Sequence, residues 1–106
     1  MLKLKNAEDF SAVFNFRKRL ISPHIYLHYA PNSKLHPRLG YVISSKIEKF
    51  AVKRNYMRRS LREIFKAHLS FKISYDIVVR VHKSYYKKEF KNIEKEIKDL
   101  IKDLPL

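Results

Sequence analysis

The residues whose side chains could do covalent chemistry are few and scattered. Five histidines, His24, His28, His36, His68 and His82, stand on different segments. Acid–base cleavage of a phosphodiester needs two imidazoles flanking one phosphate, and this spacing provides no such pair. A lone histidine on a strand is ordinarily a packing or surface residue. Two-metal hydrolysis needs clustered carboxylates, yet half of the ten acids lie beyond residue 86, interleaved with lysines, and the rest form no D-x-D or H-x-x-E group. One glycine cannot build a phosphate-cradling loop, and without cysteine there is neither a disulfide framework nor a cysteine-bound zinc. The sequence predicts no catalytic residue and no metal site made by protein side chains alone.

What the chain has in abundance is cationic, planar hydrogen-bonding chemistry. Between Lys53 and Phe65, arginines and apolar residues recur together at helical spacing. At about 100° per residue, Arg54, Arg58 and Arg62 form one stripe, broadened on one side by Asn55, Arg59 and Lys66. Met57, Leu61, Ile64 and Phe65 fill the adjoining sector, so one side of the helix anchors in a core while the next presents guanidinium forks. Guanidinium groups meet phosphate oxygens bidentately and stack on bases. Most charged helix faces are merely solvated. Here, however, like charges at i, i+4 destabilise an isolated helix by roughly 0.2–0.5 kcal/mol per pair, and Glu63 is the only acid between Lys53 and Ala67. An external polyanion supplies the missing charge.

Composition agrees. The net charge is +14 over 106 residues, a length suited to a single domain spanning 1–106. Residues 1–86 carry +13 and residues 87–106 only +1, while residues 46–72 alone carry +7. This is a focused field of the kind that steers a polyanion. Apolar runs are too short to cross a bilayer and no signal-type segment follows Met1, so a cytoplasmic protein without membrane association is expected.

The elements that must position the stripe follow from periodicity. Asn6 caps a short helix in which Phe10, Val13 and Phe14 repeat at helical spacing, followed by a basic exit, Arg17-Lys18-Arg19. His24 to Tyr29 alternates as a half-buried strand, with Tyr26 and His28 on its polar, aromatic face. Arg38 to Ser44 is a second strand, expected to form a hairpin with the first, and Gly40 inside it signals a close backbone approach or a bulge. Tyr75 to His82 is a third strand with apolar residues on both faces. Phe90, Ile93, Ile97, Leu100, Ile101 and Leu104 mark a helix covering a sheet face. The predicted fold is α/β, a two-layer sandwich of order α-β-β-α-β-α with room for one extra short strand.

These residues resemble the protein subunit of bacterial ribonuclease P. The family's R-N-x-x-K/R-R-x-x-R-E helix is matched by Arg54-Asn55-Tyr56-Met57-Arg58-Arg59-Ser60-Leu61-Arg62-Glu63. In matching order stand Asp9-Phe10 to Val13-Phe14, Arg38-Leu39-Gly40, Lys46, and Asp76-Ile77-Val78-Val79. The resemblance implies a left-handed βαβ crossover, against the usual right-handed rule. It also implies an endoribonuclease holoenzyme of tRNA processing, in which a catalytic RNA and its bound Mg2+ remove the 5′ leader from precursor tRNA. By this resemblance, Lys53, Arg54, Asn55, Arg58, Arg59, Arg62 and Lys66 dock on the RNA subunit. Phe10, Phe14, Tyr26, His28 and Lys46 border a cleft for the single-stranded leader, and no obligate protein partner is implied. Two features depart from the family pattern: Ser44-Ser45 stand where a lysine-rich strand end is frequent, and the bridge carrying Lys49 is one residue longer than in many members. The alternative reading from charge and size is a structural RNA-binding protein of ribosomal type, without a role in cleavage.

Overall fold

The computed structural model describes residues 2–105. A five-stranded sheet has the order β1-β4-β5-β3-β2, where β1 is Leu2–Lys3, β2 Lys18–Ile21, β3 Ile25–Pro31, β4 Arg38–Val42 and β5 Tyr75–Val81. The helices are α1 (Ala7–Asn15), α2 (Ala51–His68) and α3 (Phe90–Lys102). Helices α2 and α3 cover one face of the sheet. Met57, Leu61, Ile64 and Phe65 of α2 and Ile93, Ile97 and Leu100 of α3 close over Ile25, Leu27, Leu39, Ile77 and Val79. These two layers hold the main core. Helix α1 lies alone across part of the opposite face, packing Val13, with Phe10 and Phe14, against Ala30 and Val78.

The expected hairpin between β3 and β4 does not form. Instead β5 lies between them, antiparallel to β3 and parallel to β4. The physical reason is the burial of β5: Ile77, Val78 and Val79 are all fully buried, and a strand apolar on both faces belongs in the middle of a sheet. The hairpin that does form joins β3 to β2, a strand absent from the sequence reading; Lys18 and Arg19 mask its period-2 pattern. Arg17, at φ 61°, takes the left-handed turn between α1 and this strand.

The crossover β4-α2-β5 is left-handed, and the chirality of Leu39 establishes it. Its side chain enters the core beneath α2, while its carbonyl accepts the Leu4 N–H from the β1 side. For an L-residue this orientation puts β5 to the left of β4 when the sheet is viewed from the helices with β4 pointing up.

Local chemistry fixes α1. The Asn6 side chain accepts the Asp9 N–H at 2.9 Å, the cap expected from sequence. Gly40 then permits close approach, because a Cβ there would stand 2.5 Å from two ring carbons of Phe10. Arg38 donates from Nε and Nη2 to the two oxygens of Asp76, at 2.8 and 2.6 Å, locking β4 to β5. Burial pushes the Asp76 carboxyl up, but its bonds from Arg38 and Asn32 outweigh this and hold it below the usual range.

Candidate nucleic-acid interface

Two basic surfaces lie on opposite sides of the sheet. The first is the outer side of α2. Arg59, Arg62 and Lys66 are exposed, and Arg58 makes only a 3.3 Å bond to the Asn55 side chain. Two further residues expected to dock on RNA are engaged within the protein. Lys53 Nζ lies 3.0 Å from Glu48 Oε1, and Arg54 donates from Nη1 to the Glu48 carbonyl at 2.8 Å. Glu48 also accepts from Ser84 Oγ at 2.8 Å and from the Phe50 N–H at 3.1 Å; these bonds and the Lys53 charge hold its carboxyl down at about 2. The carboxylate thus clamps the start of α2 to the loop after β5. The free row is Arg58, Arg59, Arg62 and Lys66, a little over two turns of guanidinium and ammonium groups with Asn55 at its head.

The second surface is the sheet face beside α1. Alternation along β3 puts Tyr26 and His28 there together, as expected. The Phe14 ring meets His28 edge-on at 4.8 Å, and Tyr26 lies 6.2 Å from His28. Register then adds residues that sequence reasoning did not select. Arg19 pairs with His28 across β2 and β3, and Arg80 pairs with Tyr26 across β3 and β5. Each guanidinium carbon stands 4.7 Å from the Tyr26 ring centre, and His82 stacks on Tyr26 at 4.2 Å. The alternation of β5 placed Arg80 and His82 on one face; only the strand pairing brings them to Tyr26.

Phe14, Arg17, Arg19 and His28 line a cavity of about 360 Å³. His28 is buried, and its Nε2 has no hydrogen-bond partner among the described residues. Burial above all, together with the nearby Arg80 and Arg19 charges, pushes its imidazole down to about 4, so it stands neutral among cations. Aromatic rings framed by guanidinium groups, with an unsatisfied imidazole nitrogen, are suited to holding an unpaired nucleotide by stacking and a base-edge hydrogen bond. Phe10 contributes differently: its ring is seated over Gly40 and joins α1 to β4. Lys46 lies in the exposed turn after β4.

Among the described residues, no group of three or more histidines and acids is arranged to hold a metal ion, and no helix is long and apolar enough to cross a membrane.

A family profile described as Ribonuclease P matches residues 1–105. The chain belongs to the ribonuclease P protein family. The protein component from Azoarcus sp. is 38% identical over 80 residues, covering 76% of this chain and 67% of the relative. That from Clostridioides difficile is 33% identical over 101 residues, covering 93% and 88%. Among solved structures, the ribonuclease P protein of Thermotoga maritima superposes with a TM-score of 0.81 at 26% identity over the full length of both chains. The Staphylococcus aureus protein gives 0.84 at 25% identity, covering 96% and 94%. As a ribonuclease P protein component, the chain is an RNA-binding subunit of the endoribonuclease that matures tRNA 5′ ends, and the RNA subunit is its partner. The ribosomal-type alternative is set aside by that membership. Within the family frame, the Arg54-to-Glu63 motif occupies the middle turns of α2, its apolar residues are buried, and only part of its charge is free.

Proposed function

We propose that the two surfaces divide the binding work of ribonuclease P. The α2 row, with Asn55, Arg58, Arg59, Arg62 and Lys66 outermost and Lys53 and Arg54 at its clamped end, docks on phosphates of the catalytic RNA. The cleft of Phe14, Tyr26 and His28 holds the single-stranded 5′ leader of precursor tRNA, with Phe10 bracing α1 against β4 and Lys46 meeting leader phosphates from the turn after β4. Arg19, Arg80 and His82 belong to the same leader site. The RNA partner binds the Mg2+ ions of the hydrolysis, and this chain contributes affinity and substrate choice rather than a reacting group. The cytoplasm is its place of action, and it needs no further protein partner. The observation that carries this reading is the opposed placement of the two surfaces: a docked α2 leaves the Tyr26 face open to substrate.

The test compares precursor with leaderless tRNA in the reconstituted holoenzyme. Phe14→Ala weakens precursor binding more than leaderless binding; equal losses would sink the cleft assignment. Replacing Arg58 and Arg62 by Gln lowers RNA-subunit affinity and flattens its dependence on salt, each lost phosphate contact removing about 0.7–0.9 from the log–log slope. An unchanged slope would remove the stripe from the interface.

A further inference from the structure

An exposed apolar cluster lies at the first turn of α2, away from the leader cleft. Phe50 is 62% exposed, Val52 82% and Tyr86 59%. Phe50 stands at the N-cap of α2, a position where Asn, Asp, Ser or Thr would supply a side-chain acceptor, and its ring makes no capping bond. Tyr86 reaches the same surface from the loop after β5, and Tyr56 forms part of the floor; together they line a depression of about 500 Å³. Ammonium groups surround it. Lys53 Nζ lies 3.3 Å from the Tyr86 ring centre, Lys49 Nζ 5.4 Å from Phe50 and Lys87 Nζ 5.6 Å from Tyr56.

An exposed phenylalanine in place of a cap leaves the helix start without a side-chain acceptor and stands outside the buried core. A local rule broken without a compensating contact marks a residue kept for an encounter. Exposed rings with lysines at their edges form a platform on which an unpaired base stacks while its phosphates meet the ammonium groups. The positive rim selects a polyanion. Phe50 also stands only eight residues before Arg58, about 12 Å along the helix axis, so RNA laid on the arginine row passes over it.

We propose that Phe50 and Tyr86 form a stacking platform for an unpaired nucleobase of the RNA subunit, with Lys49 and Lys87 taking the adjoining phosphates. The proposal rests on the docking reading of α2 and adds to it a base contact independent of charge neutralisation.

The experiment titrates wild type and the variants Phe50→Ala, Phe50→Leu and Phe50→Trp with the ribonuclease P RNA subunit across a salt series, with circular dichroism confirming the fold. Phe50→Ala and Phe50→Leu lose roughly 5- to 100-fold in affinity, while Phe50→Trp retains it. In all three the salt slope stays at the wild-type value, because no phosphate contact is lost. The chain has no native tryptophan, so the fluorescence of the Phe50→Trp protein reports directly on this site, and RNA quenches it. Unchanged affinity for Phe50→Ala, or wild-type affinity for Phe50→Leu, overturns stacking. Quenching by phosphatidylglycerol vesicles but not by RNA, or dimerisation that Phe50→Ala abolishes, assigns the patch to another occupant and equally overturns it. The Arg58 and Arg62 double variant separates the two readings. If it loses RNA binding while the Phe50 variants do not, docking stands and the platform falls; if it binds normally while Phe50→Ala does not, the platform stands alone.

Discussion

His28 makes a prediction that reaches from burial to function. The imidazole is buried between Phe14 and the sheet, and Arg80 and Arg19 oppose a proton on it, so the folded chain accepts that proton only near pH 4 against an ordinary value of 6.5. Between those values the unfolded chain binds more protons than the folded one, so stability rises with pH there. It is fully present above about pH 6.5, is lost as pH falls toward 4, and changes no further below that. Discounted for the part of the ring that water reaches, the loss is about 2–3 kcal/mol. With a urea m-value of about 1–3 kcal/mol/M, wild type loses roughly 0.7–3 M in its unfolding midpoint between pH 7.5 and pH 4 from this group alone. His28→Leu, of similar volume in an apolar setting, lacks that component, and the difference between the two pH profiles isolates it from other titrating groups. The His28 Cε1 proton, followed by NMR, titrates near 4. A titration near 6.5, or parallel profiles for the two proteins, would refute the reasoning. The functional corollary is that His28 meets a leader as a neutral ring, so its contribution to precursor affinity is flat from pH 6 to 8.

Three further outcomes follow from the packing. Gly40→Ala forces the Phe10 ring off β4, since the added Cβ would meet it at 2.5 Å; urea unfolding detects a loss of about 1–3 kcal/mol, and precursor affinity falls with it. Asp76→Asn leaves the partly buried Arg38 guanidinium with only the more distant Asp9 carboxylate, 3.7 Å from Nη1, and costs about 2–4 kcal/mol, whereas Asp76→Asn with Arg38→Met costs less than the sum of the single changes; additivity would show that the pair is not coupled. Phe50→Ser supplies the missing cap of α2 and raises thermal stability by about 0.5–2 kcal/mol while weakening RNA-subunit binding; a loss of stability would show that the ring supports the fold.

The long helices were legible because their patterns are long. Thirteen residues of α3 and the apolar sector of α2 repeat often enough to set the buried face, and the alternation of β3 put Tyr26 and His28 on one side without any knowledge of neighbours. What sequence could not supply was adjacency. Alternation assigns a residue to a face but not to a partner strand, so β3 was paired with β4 when the buried Ile77-Val78-Val79 run of β5 belonged between them. The same gap hid Arg19 and Arg80 from the Tyr26 site. Sequestration was invisible for a related reason: Lys53 and Arg54 read as free cations until the bridge before α2 folded Glu48 beneath them. The arginines do lie on one helix, and a contact across a turn narrows which of their charges stand outermost.

The two borders of the sheet carry a consequence for the protein before it meets RNA. One border is β1, only two residues long, and the other is β2, whose four residues include Lys18 and Arg19. Strand borders are templates on which other chains can add, and short or lysine-bearing borders resist such addition. Here the resistance is built into both ends of the sheet, so the open main-chain groups of one molecule give poor purchase to those of another. Edge-to-edge addition between newly made chains is therefore disfavoured, and their +14 charge adds repulsion until a polyanion claims it.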